Sequence, residues 1–131
     1  MNGLKASAII SISLMSGIAS PAVYVNSAPG FPGTQCFTEV DSRIKVCSES
    51  DGRHLRAESP DGKVLWRNNP FVSAKLKFYR VRNPRIVWIG PSDGSAAELG
   101  HAGSFVGIAF ESTQFGAINV STGKFIFLGQ D

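Results

Sequence analysis

The sequence predicts an all-β domain, a small antiparallel β-sandwich or barrel of about seven or eight short strands, after an N-terminal signal peptide. Two observations predict this fold. Turn-forming residues recur about every eight to ten residues, and the stretches between them alternate apolar and polar side chains. At most one short helical turn is expected. The chain has 131 residues, which suits one domain.

Residues 1–22 have the three-part layout of a cleaved secretory signal peptide. Lys5 supplies the positive charge, Ala6–Ile18 is uncharged and made of apolar or small residues, and Ser20–Ala22 offers small residues to a signal peptidase. Cleavage after Ala19 is an alternative. Serines dilute the apolar stretch, which falls short of the roughly 20 strongly apolar residues that span a bilayer. An uncleaved membrane anchor is therefore the second interpretation.

The mature chain is expected to have no transmembrane segment and to be periplasmic or secreted. Residues 23–33 are rich in Gly and Pro and are interpreted as an extended lead-in. Residues 34–131 then form the single β domain.

Cys36 and Cys47 are the only cysteines, and an even number in an exported chain predicts a disulfide. The sequence between them reads as a β-hairpin. Pairing Val40 with Arg43 across its turn places the two cysteines opposite each other. Few other ligands are available for a metal, so no metal site and no cofactor are predicted.

The turn at Ser59–Gly62 combines Pro, which presets the first turn dihedral, with Gly, which accepts the left-handed position. Thr122–Gly123 makes a similar hairpin turn. Within the next strands, Leu55 and Ala57 are expected on one face, as are Val106, Ile108 and Phe110. The predicted strands after the hairpin are His54–Glu58, Lys63–Arg67, Lys75–Arg85, Arg85–Ile89, Ser104–Glu111, Phe115–Val120 and Lys124–Leu128.

Three segments need a choice between alternatives. Asn69–Pro70 could cap and start a helix, but the alternation that follows favours a bulged, basic edge strand over Lys75–Arg85. Arg85–Ile89 is apolar on both faces, which indicates a central strand covered on both sides. Ser95–Gly100 fits a single helical turn, with Ser95 and Glu98 as a capping box and Gly100 as the stop.

Positive charge is concentrated in one half of the domain. Residues 43–85 hold eleven Lys and Arg against four acids, a net charge of +7, whereas residues 86–131 have a net charge of −3. The basic half favours an anionic partner, either a protein or an anionic component of the cell envelope. Export argues against nucleic acid. The alternative is that these charges only solvate the faces of strands.

The predicted partner-binding residues combine cations with aromatic rings, the side chains that dominate binding interfaces. They could instead protect an edge strand against aggregation. These residues are Lys75, Lys77, Phe78, Tyr79, Arg80, Arg82 and Arg85.

No catalytic residue is predicted. Gly90–Gly94 matches the letters of a G-x-S-x-G nucleophile elbow, but the helix behind it is a single turn and the same residues are good turn formers. Ser92 and His101 could be grouped with a nearby acid, and loops bring polar residues together by default. His54 is expected to be a solvated histidine.

The leading functional hypothesis is an exported binding protein of the inhibitor or immunity type, which blocks or captures a partner through a preformed β surface. A small cell-envelope hydrolase using Ser92 and His101 is the second hypothesis. A structural or adhesion module of a surface assembly is the third.

Export generates the first testable prediction. The mature protein should begin at Ser20 or Val23 and should fractionate outside the cytoplasm, because the signal peptidase cuts after the small residues. N-terminal sequencing and cell fractionation measure both properties. Recovery of the intact chain, beginning at Met1 and embedded in the membrane, would contradict the prediction.

Overall fold

The computed structural model describes residues 34–131, which form eight strands and two helical turns. The predicted signal peptide over residues 1–22 and the lead-in over 23–33 lie outside the described residues. The strands are β1 (Cys36–Thr38), β2 (Lys45–Ser48), β3 (Leu55–Glu58), β4 (Val64–Asn68), β5 (Ile86–Pro91), β6 (Phe105–Phe110), β7 (Gln114–Asn119) and β8 (Phe125–Gln130). The helical turns are α1 (Pro70–Ser73), between β4 and β5, and α2 (Ser95–Glu98), between β5 and β6.

The strands form two four-stranded antiparallel sheets, in the orders β1-β2-β3-β4 and β5-β6-β7-β8. Each sheet is a meander in which neighbours in sequence are also neighbours in space. Short turns connect the strands, except for the longer connection between β5 and β6 that contains α2. Gly62 and Gly123 occupy two of these turns with φ of 88° and 80°, a conformation that glycine adopts without steric cost. The prediction of an all-β antiparallel fold is confirmed.

The inner faces of the two sheets share one apolar core. Leu55 and Ala57 of the first sheet are fully buried, as the period-two pattern predicts. The second sheet buries Val106, Ile108 and Phe110 in the same way. The rest of the core consists of Ile44, Val46, Ile86, Ile89, Ile118, Val120 and Phe125. The two layers therefore form a sandwich in which each sheet covers the other.

Two side-chain hydrogen bonds join the open edge of the first sheet to the second. The indole Nε1 of Trp66 donates to the carbonyl oxygen of Val120 at 2.7 Å, and the amide of Asn68 donates to the carbonyl oxygen of Gly123 at 2.8 Å. A methyl group on Gly123 would lie 2.8 Å from Cδ2 of Trp66. Glycine is favoured at this turn for two reasons: its backbone is left-handed, and a side chain would collide with the indole of Trp66.

The β1–β2 hairpin has the predicted register, with Cys36 opposite Cys47 and Phe37 opposite Val46. The two cysteines form the disulfide, and their Cα atoms are 4.0 Å apart. Ser48 N donates to the carbonyl oxygen of Gln35, so the neighbouring pair Gln35–Ser48 is the hydrogen-bonded one. Cys36 and Cys47 therefore occupy a pair without mutual backbone hydrogen bonds. Strands approach most closely at such pairs, which explains why a bridge fits there.

A buried carboxylate holds the turn of this hairpin. Glu39 is 7% exposed, and its side chain accepts hydrogen bonds from Asp41 N, Ser42 N and Ser42 Oγ. Burial raises the pKa of Glu39, but these hydrogen bonds outweigh it and lower the pKa below its ordinary value. Glu39 therefore has a structural role, because its carboxylate accepts hydrogen bonds from the main-chain amides of the turn.

The predicted bulged edge strand over Lys75–Arg85 is wrong. Asn69 accepts a hydrogen bond from Val72 N and starts α1, the alternative that the Asn-Pro pair offered. The residues after α1 include three with left-handed backbones, Lys75, Arg80 and Asn83, as follows from their φ of 56°, 64° and 47°. Extended strands do not tolerate such residues, so the segment is a loop whose only β contact is an isolated bridge within it.

The prediction that Arg85–Ile89 is a central, doubly covered strand is also wrong. The corresponding strand, β5, is an edge strand of the second sheet. Ile86 and Ile89 are buried in the core, but Trp88 points to the outer face and is 45% exposed. The strand is apolar on both faces because its outward side carries an exposed aromatic residue, not because a second layer covers it.

The predicted helical turn near Ser95–Gly100 is present as α2, but its start differs from the capping box. Gly94 is the N-cap residue and makes no side-chain cap, and Ser95 is the first helical residue. The end agrees with the sequence. Gly100 has φ of 90°, and the main-chain N–H groups of Gly100 and His101 bond back to Ala97 and Ala96.

Within residues 34–131, no helix has the length and apolarity needed to cross a membrane.

The disulfide yields a second prediction. It closes a loop with a sequence separation of 11 residues. Replacing Cys36 and Cys47 together by Ser should therefore lower the free energy of unfolding by at most about 3 kcal/mol. Denaturant unfolding of the variant and the oxidised parent measures the difference. A free-thiol titration of the native, unreduced protein serves as the control, and two reactive thiols there would contradict the pairing.

Candidate binding surface

The loop over residues 75–85, here called the basic loop, is held in place by polar contacts to the second sheet. The Gln114 side chain, 2% exposed, donates to the carbonyl oxygen of Lys77 at 3.1 Å. The Tyr79 hydroxyl and the Arg80 guanidinium both donate to the main-chain oxygen of Asp131. These contacts take the place of a strand ladder, so the loop has a defined shape.

Arg80 is the centre of a tight turn inside the basic loop. Val81 N donates to the carbonyl oxygen of Tyr79 at 2.6 Å, and Arg80 between them has φ of 64°. A non-glycine residue in this conformation costs on the order of 1 kcal/mol and persists only where its surroundings enforce it. The Arg80 guanidinium lies 5.2 Å from the centre of the Tyr79 ring and supplies part of that support.

A groove of about 420 Å³ lies between the basic loop and the second sheet. Two exposed aromatic side chains belong to it, Phe78 with 56% exposure and Phe127 with 44%. Lys75 and Lys77 are exposed at its rim. The residues that line this basic groove are Lys75, Leu76, Lys77, Phe78, Tyr79, Gln114, Phe127 and Gln130.

Cations surround the groove without acidic partners. The Arg82 guanidinium lies 4.7 Å from the centre of the Phe78 ring. Among residues 34–131, no carboxylate side chain forms an ion pair with Lys75, Lys77 or Arg82. The groove therefore presents apolar surface and positive charge together.

Arg85 is separated from the other predicted partner-binding residues. Its guanidinium Nε lies 3.5 Å from the Glu111 carboxylate, and its main-chain N–H donates to the same side chain. Its aliphatic part lies beside Gly52, where a methyl group would approach it to 3.2 Å. The structure thus brings Lys75, Lys77 and Phe78 together, whereas Arg85 is engaged elsewhere in the fold.

Much of the positive charge outside the basic loop is neutralised on the outer face of the first sheet. Arg67 contacts Glu49 at 2.7 Å, and Arg56 contacts Glu58 at 2.9 Å. Hydrogen bonding by the Arg67 guanidinium holds the pKa of Glu49 below its ordinary value, against the effect of partial burial. The largest group of cations in residues 43–85 without a carboxylate side-chain partner among the described residues is therefore in the basic loop.

The residues considered for catalysis are not assembled into a site. Ser92 Oγ accepts a long hydrogen bond from Gly94 N, and His101 is exposed beyond the end of α2. No hydrogen bond joins Ser92 and His101 in the described part of the chain. Likewise, residues 34–131 contain no group of three His, Cys, Asp or Glu side chains that could hold a metal ion.

His54 lies just before β3, and its Nδ1 is 2.6 Å from the Asp51 carboxylate. Asp51 also accepts from the main-chain N–H groups of Arg53 and His54. Partial burial raises the pKa of Asp51, but the hydrogen bonds and the charge of His54 outweigh it and lower the pKa to about 2. The pair stabilises the β2–β3 turn.

Sequence reasoning missed the residues that tertiary folding adds. Phe127 and Gln114 lie far along the chain from the basic loop, and no local pattern connects them to it. On the outer face of the second sheet, Trp88 and Phe115 are also exposed, by 45% and 40%. The sequence contains the glycines on neighbouring strands against which these two rings pack. Only the strand register shows which glycine faces which ring.

Comparisons with protein-family models, curated proteins and solved structures found no match to this chain. Its function is therefore inferred from its own residues and their geometry.

The lowered pKa of Asp51 gives a third prediction. A shift from 3.8 to about 2 corresponds to about 2 kcal/mol, and because the side chain is 44% exposed, solvent screening reduces this to about 1 kcal/mol. Asp51→Ala should therefore lower the free energy of unfolding by about 1 kcal/mol at pH 7. A carboxylate with a depressed pKa stabilises the fold above its unfolded-state pKa, so the loss should vanish as the pH falls from about 4 to about 2.

Denaturant unfolding at several pH values measures this dependence. Asp41→Ala is the matched control, because the Asp41 carboxylate accepts no hydrogen bond from the described residues and should contribute little at any pH. A constant difference between Asp51→Ala and the parent down to pH 2 would contradict the assignment.

Proposed function

We propose that this chain is an exported, periplasmic or secreted binding protein of the inhibitor or immunity type. It captures an acidic protein through the basic groove formed by the basic loop and Phe127. The observation that carries the proposal is that exposed aromatic rings and cations without acidic partners meet in one groove whose shape is already fixed.

The shape of the groove supports tight binding because little has to be ordered on association. The carbonyl oxygen of Lys77 is bonded to the buried Gln114 side chain, and Tyr79 is bonded to Asp131. Binding to a flexible loop would cost additional conformational entropy, which a preformed loop avoids. The strained turn at Arg80 fits this role, since residues held in such conformations are concentrated at functional sites.

The composition of the groove supports an acidic protein as its partner. Phe78 and Phe127 offer the apolar contact area that stabilises a bound complex. Lys75, Lys77 and Arg82 add a positive field that accelerates encounter with an acidic surface. Phe78, more than half exposed and flanked by Arg82, is the expected centre of the interface.

The hydrolase alternative gains no support from the placement of Ser92 and His101, whose side chains share no hydrogen bond in the described residues. The adhesion alternative predicts binding to a surface assembly. Capture of partners from envelope extract, as described next, tests this alternative too.

The fourth prediction separates charge from contact area. Capture from envelope extract, followed by mass spectrometry, should identify one stoichiometric acidic protein. With that protein, Lys75→Glu combined with Lys77→Glu should slow association in a salt-dependent way, because the steering field reverses. Phe78→Ala should speed dissociation by roughly tenfold or more, because an aromatic anchor is lost. Surface plasmon resonance at several salt concentrations measures both rates.

Lys63→Glu combined with Lys124→Glu is the matched control, with the same change in net charge at exposed lysines that do not line the groove. All variants should unfold at nearly the same denaturant concentration, since surface substitutions usually change stability by less than about 0.5 kcal/mol. If both double variants slow association equally, net charge and not the groove determines binding. Unchanged kinetics in Phe78→Ala would contradict the proposal outright.

A further inference from the structure

A second groove, of about 220 Å³, crosses the outer face of the second sheet, away from the core. Trp88 of β5 pairs with Ala109 of β6, which pairs with Phe115 of β7. These three residues therefore form a row across neighbouring strands, and the two aromatic residues are about 10 Å apart at their Cα atoms. The small side chain of Ala109 between them leaves a trough.

Glycines seat both aromatic rings against the sheet. Gly90 and Gly107 are paired across β5 and β6, and a methyl group on Gly107 would lie 2.8 Å from Cζ3 of Trp88. A methyl group on Gly129 would lie 2.9 Å from Cζ of Phe115. Each ring thus rests with one side on bare backbone. Since Trp88 is 45% and Phe115 40% exposed, the other side of each ring is open to solvent.

Two polar side chains also line the groove. Ser92 and Asp93 line the groove together with the aromatic residues. The Asp93 carboxylate accepts from Ser95 N at 2.9 Å and from the Ser95 side chain, and no Lys, Arg or His forms an ion pair with Asp93 among residues 34–131. The carboxylate can therefore accept further hydrogen bonds from donors that approach the groove.

We infer that this outer-face groove binds a saccharide chain of β-linked pyranose rings. Such a ring with equatorial substituents presents C–H groups on its two faces and hydroxyl groups around its edge. The C–H faces match the electron-rich faces of Trp88 and Phe115, and the hydroxyl groups match the Asp93 carboxylate and the Ser92 hydroxyl. The site is separate from the basic groove and stands independently of the function proposed for it.

The size and charge of the groove favour this occupant over a protein. Its volume is below the roughly 300 Å³ at which pockets for drug-sized ligands begin, which suits single sugar units of a chain. A stable interface with a second copy would bury about 800 Å² on each partner. Here only ten residues line the groove, fewer than the roughly 20 that each side of a stable interface contributes, and one of them is the charged Asp93.

The fifth prediction uses chitohexaose as the probe in an NMR titration of the mature protein. The indole N–H signal of Trp88 should shift and saturate. The indole of Trp66 donates to Val120 inside the fold, so its signal should stay in place as an internal reference. Trp88→Ala should weaken binding by roughly tenfold or more, because a stacking surface is lost. Asp93→Asn, at an exposed residue, should weaken it by roughly tenfold through loss of a charged hydrogen bond.

Phe127→Ala is the matched control, because Phe127 is 44% exposed, nearly the same as Trp88, but lies in the basic groove. It should change the affinity for chitohexaose by less than about twofold. The inference is overturned if neither chitohexaose nor cellohexaose shifts the Trp88 indole, or if Asp93→Asn and Trp88→Ala bind as the parent does. It is also overturned if the Trp88 signal responds only to protein concentration or only to a proline-rich peptide.

Discussion

The fold depends on the burial of two apolar sheet faces against each other. A four-stranded meander has no way to remove its inner face from water on its own, and here Leu55 and Ala57 of one sheet share a core with Val106, Ile108 and Ile118 of the other. The hydrogen bond from Trp66 to Val120 fixes how the sheets meet at one edge. At one end of this core, Phe71 of α1 packs edge-to-face against Phe110. The disulfide, by contrast, only closes a short hairpin.

Parts of the fold that follow from local rules could be predicted from the sequence. The register of the first hairpin follows once Cys36 and Cys47 are paired, and the inward residues of β6 follow from strict alternation. The region after Asn69 could not be resolved in the same way. Alternation over Lys75–Arg85 resembles a strand, but tertiary contacts from Gln114 and Asp131 fix left-handed residues there. Local pattern carries no information about those distant partners.

The candidate sites show the same difference between what the local sequence predicts and what tertiary contacts add. The sequence places the cations and rings of the basic loop together as a candidate binding surface, whereas Phe127 joins them only because β8 lies beside the loop. Arg85 is close to these residues in sequence, but in the structure its guanidinium contacts the Glu111 carboxylate instead. At Trp88, an apolar residue on the outer side of a strand indicated a second covering layer. In the structure the Trp88 ring packs on glycines instead, and this arrangement is apparent only from the pairing of Gly90 with Gly107.

Both grooves are supported by the sandwich and should keep their shape in the absence of a ligand. The residues that support the basic groove include Gln114, which is buried, and the trough beside Trp88 is floored by paired strands of the second sheet. If the shared core holds the two sheets as one cooperative unit, the surfaces on them are preformed as well.

Native-state hydrogen exchange at increasing denaturant concentration tests this claim most directly, because it reports the opening free energy of each strand. The shared core predicts that the buried amides of β2 and β3 exchange with the same free energy and the same denaturant dependence as those of β6 and β7. Exchange of the first sheet at a much lower denaturant concentration, while the second sheet remains protected, would show two separately stable layers and would contradict the account.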